Sequence, residues 1–203
     1  LAEGIEELPE HAPTGAESKQ RLIKRLASLR RETERLRGIL SDFLAYAGEM
    51  RLDRKDTDLN SIVQDLVDFF QPQAASQGVN VRVDLSPEPA MASVDAGLMK
   101  QAVLNLMLNG VQAMNAVPVH ASRPKELILR TRVVAAAGES GQPVGTVVEL
   151  HVIDTGPGIP AEVAAKIFQP YFTTKAGGTG LGLPTTRRII EAHGGRIDVH
   201  TTE

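Results

Sequence analysis

Between Leu22 and Ala47 the residues Leu22, Leu26, Leu29, Thr33, Leu36, Leu40, Phe43 and Ala47 recur at steps of four and three. An apolar seam with that period, broken only by Thr33, demands a long α-helix. No proline falls between Glu17 and Met50, and Lys24, Arg25, Arg30, Arg31, Glu32, Glu34, Arg35 and Arg37 occupy the other faces. Ile23 and Ile39 widen the stripe, which suits a bundle or a dimer better than a two-stranded coil. The alternative is one amphipathic helix lying on whatever follows it. Ahead of it, Pro9, Pro13 and Gly15 mark a loop, and Leu1–Leu8 reads as the tail of an earlier helix.

Composition narrows the rest. The 203 residues carry 22 basic and 25 acidic side chains, a net charge of −3, which disfavours a nucleic-acid binder. There are no cysteines, so disulfides, thiol nucleophiles and thiolate metal sites are excluded. No apolar run approaches the length of a membrane span, and no signal peptide opens the chain. The first residue is Leu1, and the chain is expected to be a piece of a longer protein.

Beyond a charged linker at 51–58, helical and strand-like patterns alternate. Asp58 or Asn60 is placed to cap a helix through Phe70; Val79–Leu85 alternates as a strand; Ser93 or Asp95 caps a helix over Ala96–Met114. Leu127–Val134 and Thr146–Ile153 read as strands joined by a long loop at 135–145. A short helix over Ala161–Phe168, a Gly-rich loop at 176–182, a helix over Leu183–His193 and a last strand over Arg196–His200 follow. The sum is an α+β fold, a two-layer sandwich with a mixed sheet, preceded by a helical segment. The expected domains are 1–52, a partial helical hairpin, and 53–203.

Four local patterns carry chemistry. Asn105 and Asn109 lie four apart on an apolar helix, so they share a face and require polar partners. Those partners are internal groups, a hydrated metal and phosphate, or plain solvent if the pair is an exposed polar stripe. Asp154-Thr-Gly156-Pro-Gly158 follows an apolar strand and makes a tight turn with exposed N–H groups, or an ordinary turn before a helix. Lys166–Lys175 holds three of the seven aromatics, suited to anchoring a loop or a lid, and Lys175 is within reach of a terminal phosphate unless it is a plain surface lysine. Gly177-Gly178-Thr179-Gly180-Leu181-Gly182-Leu183 opens a helix, as a phosphate-binding loop would, although a flexible linker has the same composition. It has neither the P-loop spacing nor the strand-first context of a dinucleotide fingerprint.

In this order, the four patterns resemble the catalytic half of sensor histidine kinases, within the superfamily that includes type II topoisomerase and mismatch-repair ATPases. Gln101–Met114 is similar to the N box, Asp154–Pro160 to the G1 box, Lys166–Lys175 to the F box and Gly178–Leu183 to the G2 box; Glu191-Ala-His193-Gly194-Gly195 fits the family's helix end. Glu34–Leu36 through Phe43–Ala47 resembles the second helix of the dimerisation and phosphoacceptor hairpin.

The resemblance implies that ATP and Mg²⁺ are the cofactors, with Asn109 on the metal and Asn105 beside it. Asn105 stands where related ATPases place a water-activating glutamate, which favours phosphoryl transfer to a protein over hydrolysis. Asp154 would accept from the adenine amino group, with Gly156 and Gly158 letting the turn approach the base. Gly178, Thr179, Gly180, Leu181, Gly182 and Leu183 would wrap the phosphates. Phe172, Thr174 and Lys175 would line the site from a lid at 169–182. Asn105 and Lys175 are the implied catalytic residues. A response regulator and a second copy of the chain, joined through the N-terminal helices, are the implied partners; nucleic acid is not expected, nor membrane contact by this piece of the chain, and the location is the cytoplasm, with a membrane anchor open for the full-length protein. An ATPase or serine kinase of the same superfamily and a non-catalytic dimeric adaptor are the alternatives.

Three departures stand out. No histidine followed by an acidic residue marks a phosphoacceptor, and His11 sits between prolines; autophosphorylation of this chain is not expected. Gly110 replaces a usual alanine and is expected to loosen its helix by about 1 kcal/mol. Pro184 sits early enough in its helix to be tolerated.

Overall fold

In the computed structural model, residues 15–116, 124–137, 143–175 and 178–201 are described. The expected helix tail at Leu1–Leu8, the proline loop with His11, the centre of the 135–145 connection and Gly177 lie outside them. The chain divides into two compact units, Leu1–Leu44 and Ala45–Glu203.

Helix α1 runs over Gly15–Ala47, as the heptad seam requires. Leu22, Leu26, Leu29, Leu36, Leu40 and Phe43 are all exposed. The seam is therefore an apolar face with no cover from its own unit. Thr33 sits on it by donating its hydroxyl to the Leu29 carbonyl at 2.9 Å, which satisfies the one polar side chain internally. Arg30 and Glu34, one turn apart, pair at 3.2 Å.

The second unit contains strands β1 (Lys55–Asp58), β2 (Asn80–Asp84), β3 (Met91–Val94), β4 (Glu126–Ala137) and β5 (Pro143–Asp154), with helices α2 (Leu59–Ser76), α3 (Ala96–Ala116), α4 (Ala161–Ala164) and α5 (Gly182–Ala192). Strands β2, β4 and β5 form a mixed sheet in that order, β2 parallel and β5 antiparallel to β4. Strands β1 and β3 form a separate antiparallel pair. Val63 and Phe70 of α2, Val103 and Met107 of α3, and Leu127 and Leu129 of β4 make one buried core. The helices thus cover one face of the sheet, the expected two-layer α+β sandwich. Among the described residues, no helix is long and apolar enough to cross a membrane.

Several boundaries differ from the sequence reading. The supposed linker at 51–58 contains β1, a strand with no apolar alternation. It forms because its backbone pairs with β3 and because Asp58 Oδ1 accepts N–H groups from Asn60, at the start of α2, and from Ala90. Helix α2 continues past Phe70 and through Pro72, and ends at Ser76 where Gly78 turns with φ +72°. Helix α4 closes at Ala164, after which 165–171 is a series of turns. Arg196–His200 is not a strand, since no ladder bonds flank it; the Ile159 N–H instead donates to the Thr201 hydroxyl at 2.8 Å.

Candidate functional site

Helix α3 is the floor of the site. Asp95 fixes its start, its Oδ1 accepting the Leu98 N–H at 3.1 Å and its Oδ2 the Asp53 N–H at 3.1 Å. These bonds favour the carboxylate and hold its pKa below the ordinary aspartate value. Asn105 and Asn109 project from α3 half-buried. Asn105 Nδ2 donates a long 3.5 Å bond to the Gly182 carbonyl at the start of α5.

Asp154 ends β5 beside this helix. Gly110 is buried where α3 passes it: a Cβ there would stand 3.1 Å from Asp154 Cβ and 3.1 Å from Leu127 Cδ1. Gly110 therefore serves close packing of helix on strand, a reason for glycine that stands beside its cost in helix propensity. Asp154 Oδ1 accepts the Gly156 N–H at 2.8 Å, a local Asx turn, and a Cβ on Gly156 would fall 2.6 Å from that same oxygen. Thr155 locks the turn from the other side. Its N–H donates to the Glu126 carbonyl at 3.2 Å, its hydroxyl donates to the Pro124 carbonyl at 2.9 Å, and that hydroxyl accepts the Glu126 N–H at 3.0 Å. Gly158 then turns the chain with φ +79°.

The opposite wall is loop. Leu181 is buried and anchors the start of α5, and the Thr186 hydroxyl donates to the Gly182 carbonyl at 3.0 Å. Gly180 has φ +67°, and a Cβ there would come within 2.5 Å of the Tyr171 carbonyl carbon. Tyr171 has φ +65° and donates its N–H to the Gly180 carbonyl at 3.0 Å, so two left-handed residues clasp the two ends of the loop. The Arg187 guanidinium lies 5.5 Å from the Phe168 ring centroid, linking α5 to the aromatic segment.

Lys175 reaches across. Its Nζ donates to Asn109 Oδ1 at 2.6 Å and to Gln112 Oε1 at 2.7 Å. Enclosure of the ammonium pushes its pKa below the ordinary lysine value although the residue as a whole is exposed, and Asp154 partly offsets that.

Asn105, Asn109, Asp154, Gly156, Lys175 and Gly182 are thus in one neighbourhood. Gly178, Thr179, Leu181 and Leu183 belong to the same turn and helix start. Phe172, half-buried, and Thr174, exposed, share the Lys175 loop; among the described residues no hydrogen bond joins either to α3. Gln112, Thr155 and Arg187 are additions that sequence reading missed. Gln112 was within reach of the same rule that picked Asn109, since three residues on is the same helix face. Thr155 and Arg187 act through contacts distant in sequence and carry no local signal.

Among the described residues, no group of three His, Cys, Asp or Glu converges as a metal cage. A divalent cation here would rely on amide oxygens and on a ligand's phosphates. Magnesium suits that arrangement, because it usually takes one or two protein oxygens and completes its shell with phosphate and water.

Residues 94–203 match the family described as histidine kinase-, DNA gyrase B- and HSP90-like ATPase. The sensor histidine kinase ZraS of Escherichia coli (strain K12) is 33% identical over 194 residues, 96% of this chain and 37% of that protein. The signal transduction histidine-protein kinase AtoS of the same strain is 30% identical over 174 residues, 86% of this chain and 26% of that protein. The chain thus spans roughly a third of the length of these curated relatives. Among solved structures, the catalytic domain of histidine kinase ThkA in nucleotide-free form superposes with a TM-score of 0.55 at 26% identity, covering 71% of this chain and 82% of that one. Full-length ShkA in complex with AMPPNP shares the fold at 24% identity and a TM-score of 0.65, covering 91% of this chain and 35% of that one.

Proposed function

The chain belongs to the histidine kinase-, DNA gyrase B- and HSP90-like ATPase family and carries the catalytic domain of a two-component sensor histidine kinase, and from that premise we propose that it binds Mg-ATP and transfers the γ-phosphoryl group to a histidine for relay to a response regulator. The observation that supports this most is that Lys175, Asp154 and the start of α5 all meet the same stretch of α3, at Asn109, Gly110 and Asn105 respectively.

Asp154 recognises adenine. Its Oδ1 is committed to the Gly156 N–H, which orients the carboxylate and leaves Oδ2 to accept from the exocyclic amine in a charge-assisted bond. Asn109 offers its amide oxygen to the magnesium ion, whose charge would neutralise the phosphates. The N-terminus of α5, reached through the loop at 178–182, would present backbone N–H groups and a positive dipole end to the phosphates. Lys175 follows the γ-phosphate as a point charge. In the transfer the nitrogen of the acceptor histidine bonds to the γ-phosphorus and the bond to the ADP oxygen breaks. The protein's part is positioning and charge neutralisation. Asn105 carries no basic group to activate water, which favours a protein acceptor over hydrolysis. The exposed seam of α1 supports a homodimer through that helix, with the response regulator docking on its outer face; both act on the cytoplasmic side.

Calorimetric titration with ATP and ADP, with and without Mg²⁺, tests the pocket. Micromolar-to-millimolar adenine-nucleotide binding is expected, lost in Asp154→Ala and insensitive to magnesium in Asn109→Ala. No binding by the unmodified chain would refute the reading.

A further inference from the structure

We propose that Gln112 is the second oxygen donor of the cation site begun by Asn109, and that in the nucleotide-free domain the Lys175 ammonium holds this site until a divalent cation displaces it. The inference rests on the reading of Asn109 as the metal residue. It goes beyond that reading because it turns a lid lysine into a competitor of the metal.

The geometry is that of a cation between two oxygens. Lys175 Nζ stands 2.6 Å from Asn109 Oδ1 and 2.7 Å from Gln112 Oε1. The two carboxamides are three residues apart on α3, one turn of the same face. Both are neutral, so what they select is positive charge with room for oxygen ligands, which is also what a hydrated magnesium ion requires. The lysine is delivered from a loop, not from the packed core: its N–H donates to the Thr173 hydroxyl at 3.1 Å and its carbonyl accepts the Gly178 N–H at 3.2 Å. The ammonium can therefore leave while the two amides stay.

Two consequences follow from one site and two cations. A nucleotide arriving without metal meets the Lys175 charge where the metal's charge would be, so Lys175 supplies part of the neutralisation. A nucleotide arriving with metal must move the ammonium off Asn109 and Gln112, so the metal's advantage is reduced by that displacement. A lysine that only touched phosphate would contribute equally in both cases.

The test is the ADP affinity of the whole chain in excess Mg²⁺ and in EDTA, measured for the unmodified protein, Lys175→Met, Gln112→Leu and Asn109→Ala. In Lys175→Met the EDTA affinity is expected to fall while the ratio of the Mg²⁺ to the EDTA affinity rises about fivefold or more. Gln112→Leu is expected to lower that ratio, by less than Asn109→Ala does. If both affinities of Lys175→Met fall together and the ratio stands, Lys175 is a phosphate contact only and the inference is overturned while the proposed function survives. A ratio unchanged by Gln112→Leu removes Gln112 from the site. A ratio of one in the unmodified protein, with ADP still bound, overturns the metal reading itself and this inference with it. Independently of nucleotide, the side-chain amide NMR signals of Asn109 and Gln112 are expected to shift in Lys175→Met; unmoved signals would show that the ammonium does not rest there.

Discussion

The two walls of the pocket are built on opposite principles. In the wall made by α3 and the end of β5 the glycines lie against side chains: an added Cβ on Gly110 or Gly156 would stand closer to Asp154 than ordinary van der Waals contact, whereas in the other wall Gly180 lies against the backbone of Tyr171 and Phe172. The wall made by 169–175 and 178–182 is held, among the described residues, by turn bonds and by two left-handed residues, Tyr171 and Gly180. Packed interiors transmit small displacements, whereas loops absorb them. On the proposed reading, the first wall would tell one base from another and the second would adapt to the phosphates.

If this division holds, the two walls answer differently to the same small insult. Gly156→Ala puts a methyl group 2.6 Å from Asp154 Oδ1. The carboxylate must turn away and the Asx turn opens, so the charge-assisted bond proposed to adenine would be lost. ADP affinity is expected to fall on the order of thirtyfold, and the preference for ADP over GDP should collapse with it. Unchanged ADP affinity would mean that the packed wall does not read the base. Gly180→Ala has the next largest effect, of another kind. The left-handed conformation becomes unfavourable by roughly 1–2 kcal/mol, and the new methyl group meets the Tyr171 backbone. ADP affinity should drop about tenfold, while binding of adenosine, which has no phosphates, is retained. An equal loss for adenosine would erase the distinction between the walls.

Much of the packed wall was legible in the residue pattern and much of the loop wall was not. The α3 periodicity located Asn105 and Asn109 because a helix repeats and its polar exceptions stand out. Asp154 was singled out only by the order of the four motifs together, since an acid at a strand end followed by two glycines also makes an ordinary turn before a helix. Gly110 was read as a flaw because its reason, the flank of Asp154, is 44 residues away. Strand β1 escaped notice because Lys55–Asp58 has no apolar alternation; its partner β3 and the Ala90 N–H on Asp58 determine it. The strand expected at Arg196–His200 shows the opposite failure: alternation was present, but a strand also needs a hydrogen-bonded neighbour. In the loop wall, the clasp between Tyr171 and Gly180 and the reach of Lys175 to Gln112 depend on backbone conformation and on contacts more than sixty residues apart, for which composition carries no sign.

Gly110→Ala weighs packing against propensity. Alanine in a helix interior is favoured over glycine by about 1 kcal/mol. Its methyl group would be 3.1 Å from Leu127 Cδ1, a fully buried side chain, and 3.1 Å from Asp154 Cβ. Overpacking of this kind costs about 1–3 kcal/mol, so a net destabilisation is expected, a fall in Tm of roughly 3 °C for a unit of this size. A rise in Tm measured by circular dichroism would show that the two walls are equally tolerant.

The smallest effect concerns what holds α3 in place. Asp95 caps this helix, with one oxygen on the Leu98 N–H and the other on the Asp53 N–H. Those backbone bonds depress its pKa in the folded protein. A depressed folded value means that the cap's stabilisation is fully present above the unfolded value near 3.8 and is lost as pH falls through the lower folded value. Replacing Asp95 by alanine should therefore destabilise the domain by about 1 kcal/mol at neutral pH. In urea unfolding the gap between the two proteins should stay constant down to about pH 5 and narrow below pH 4. ADP affinity in Gly180→Ala gives the contrast, since no titrating group clasps Tyr171 to Gly180 and the fold-loss there should be the same at pH 6 and pH 8. A gap for Asp95→Ala that is absent at neutral pH would mean that α3 is held by its packed face alone, and the stiffness of the wall would then owe nothing to its cap.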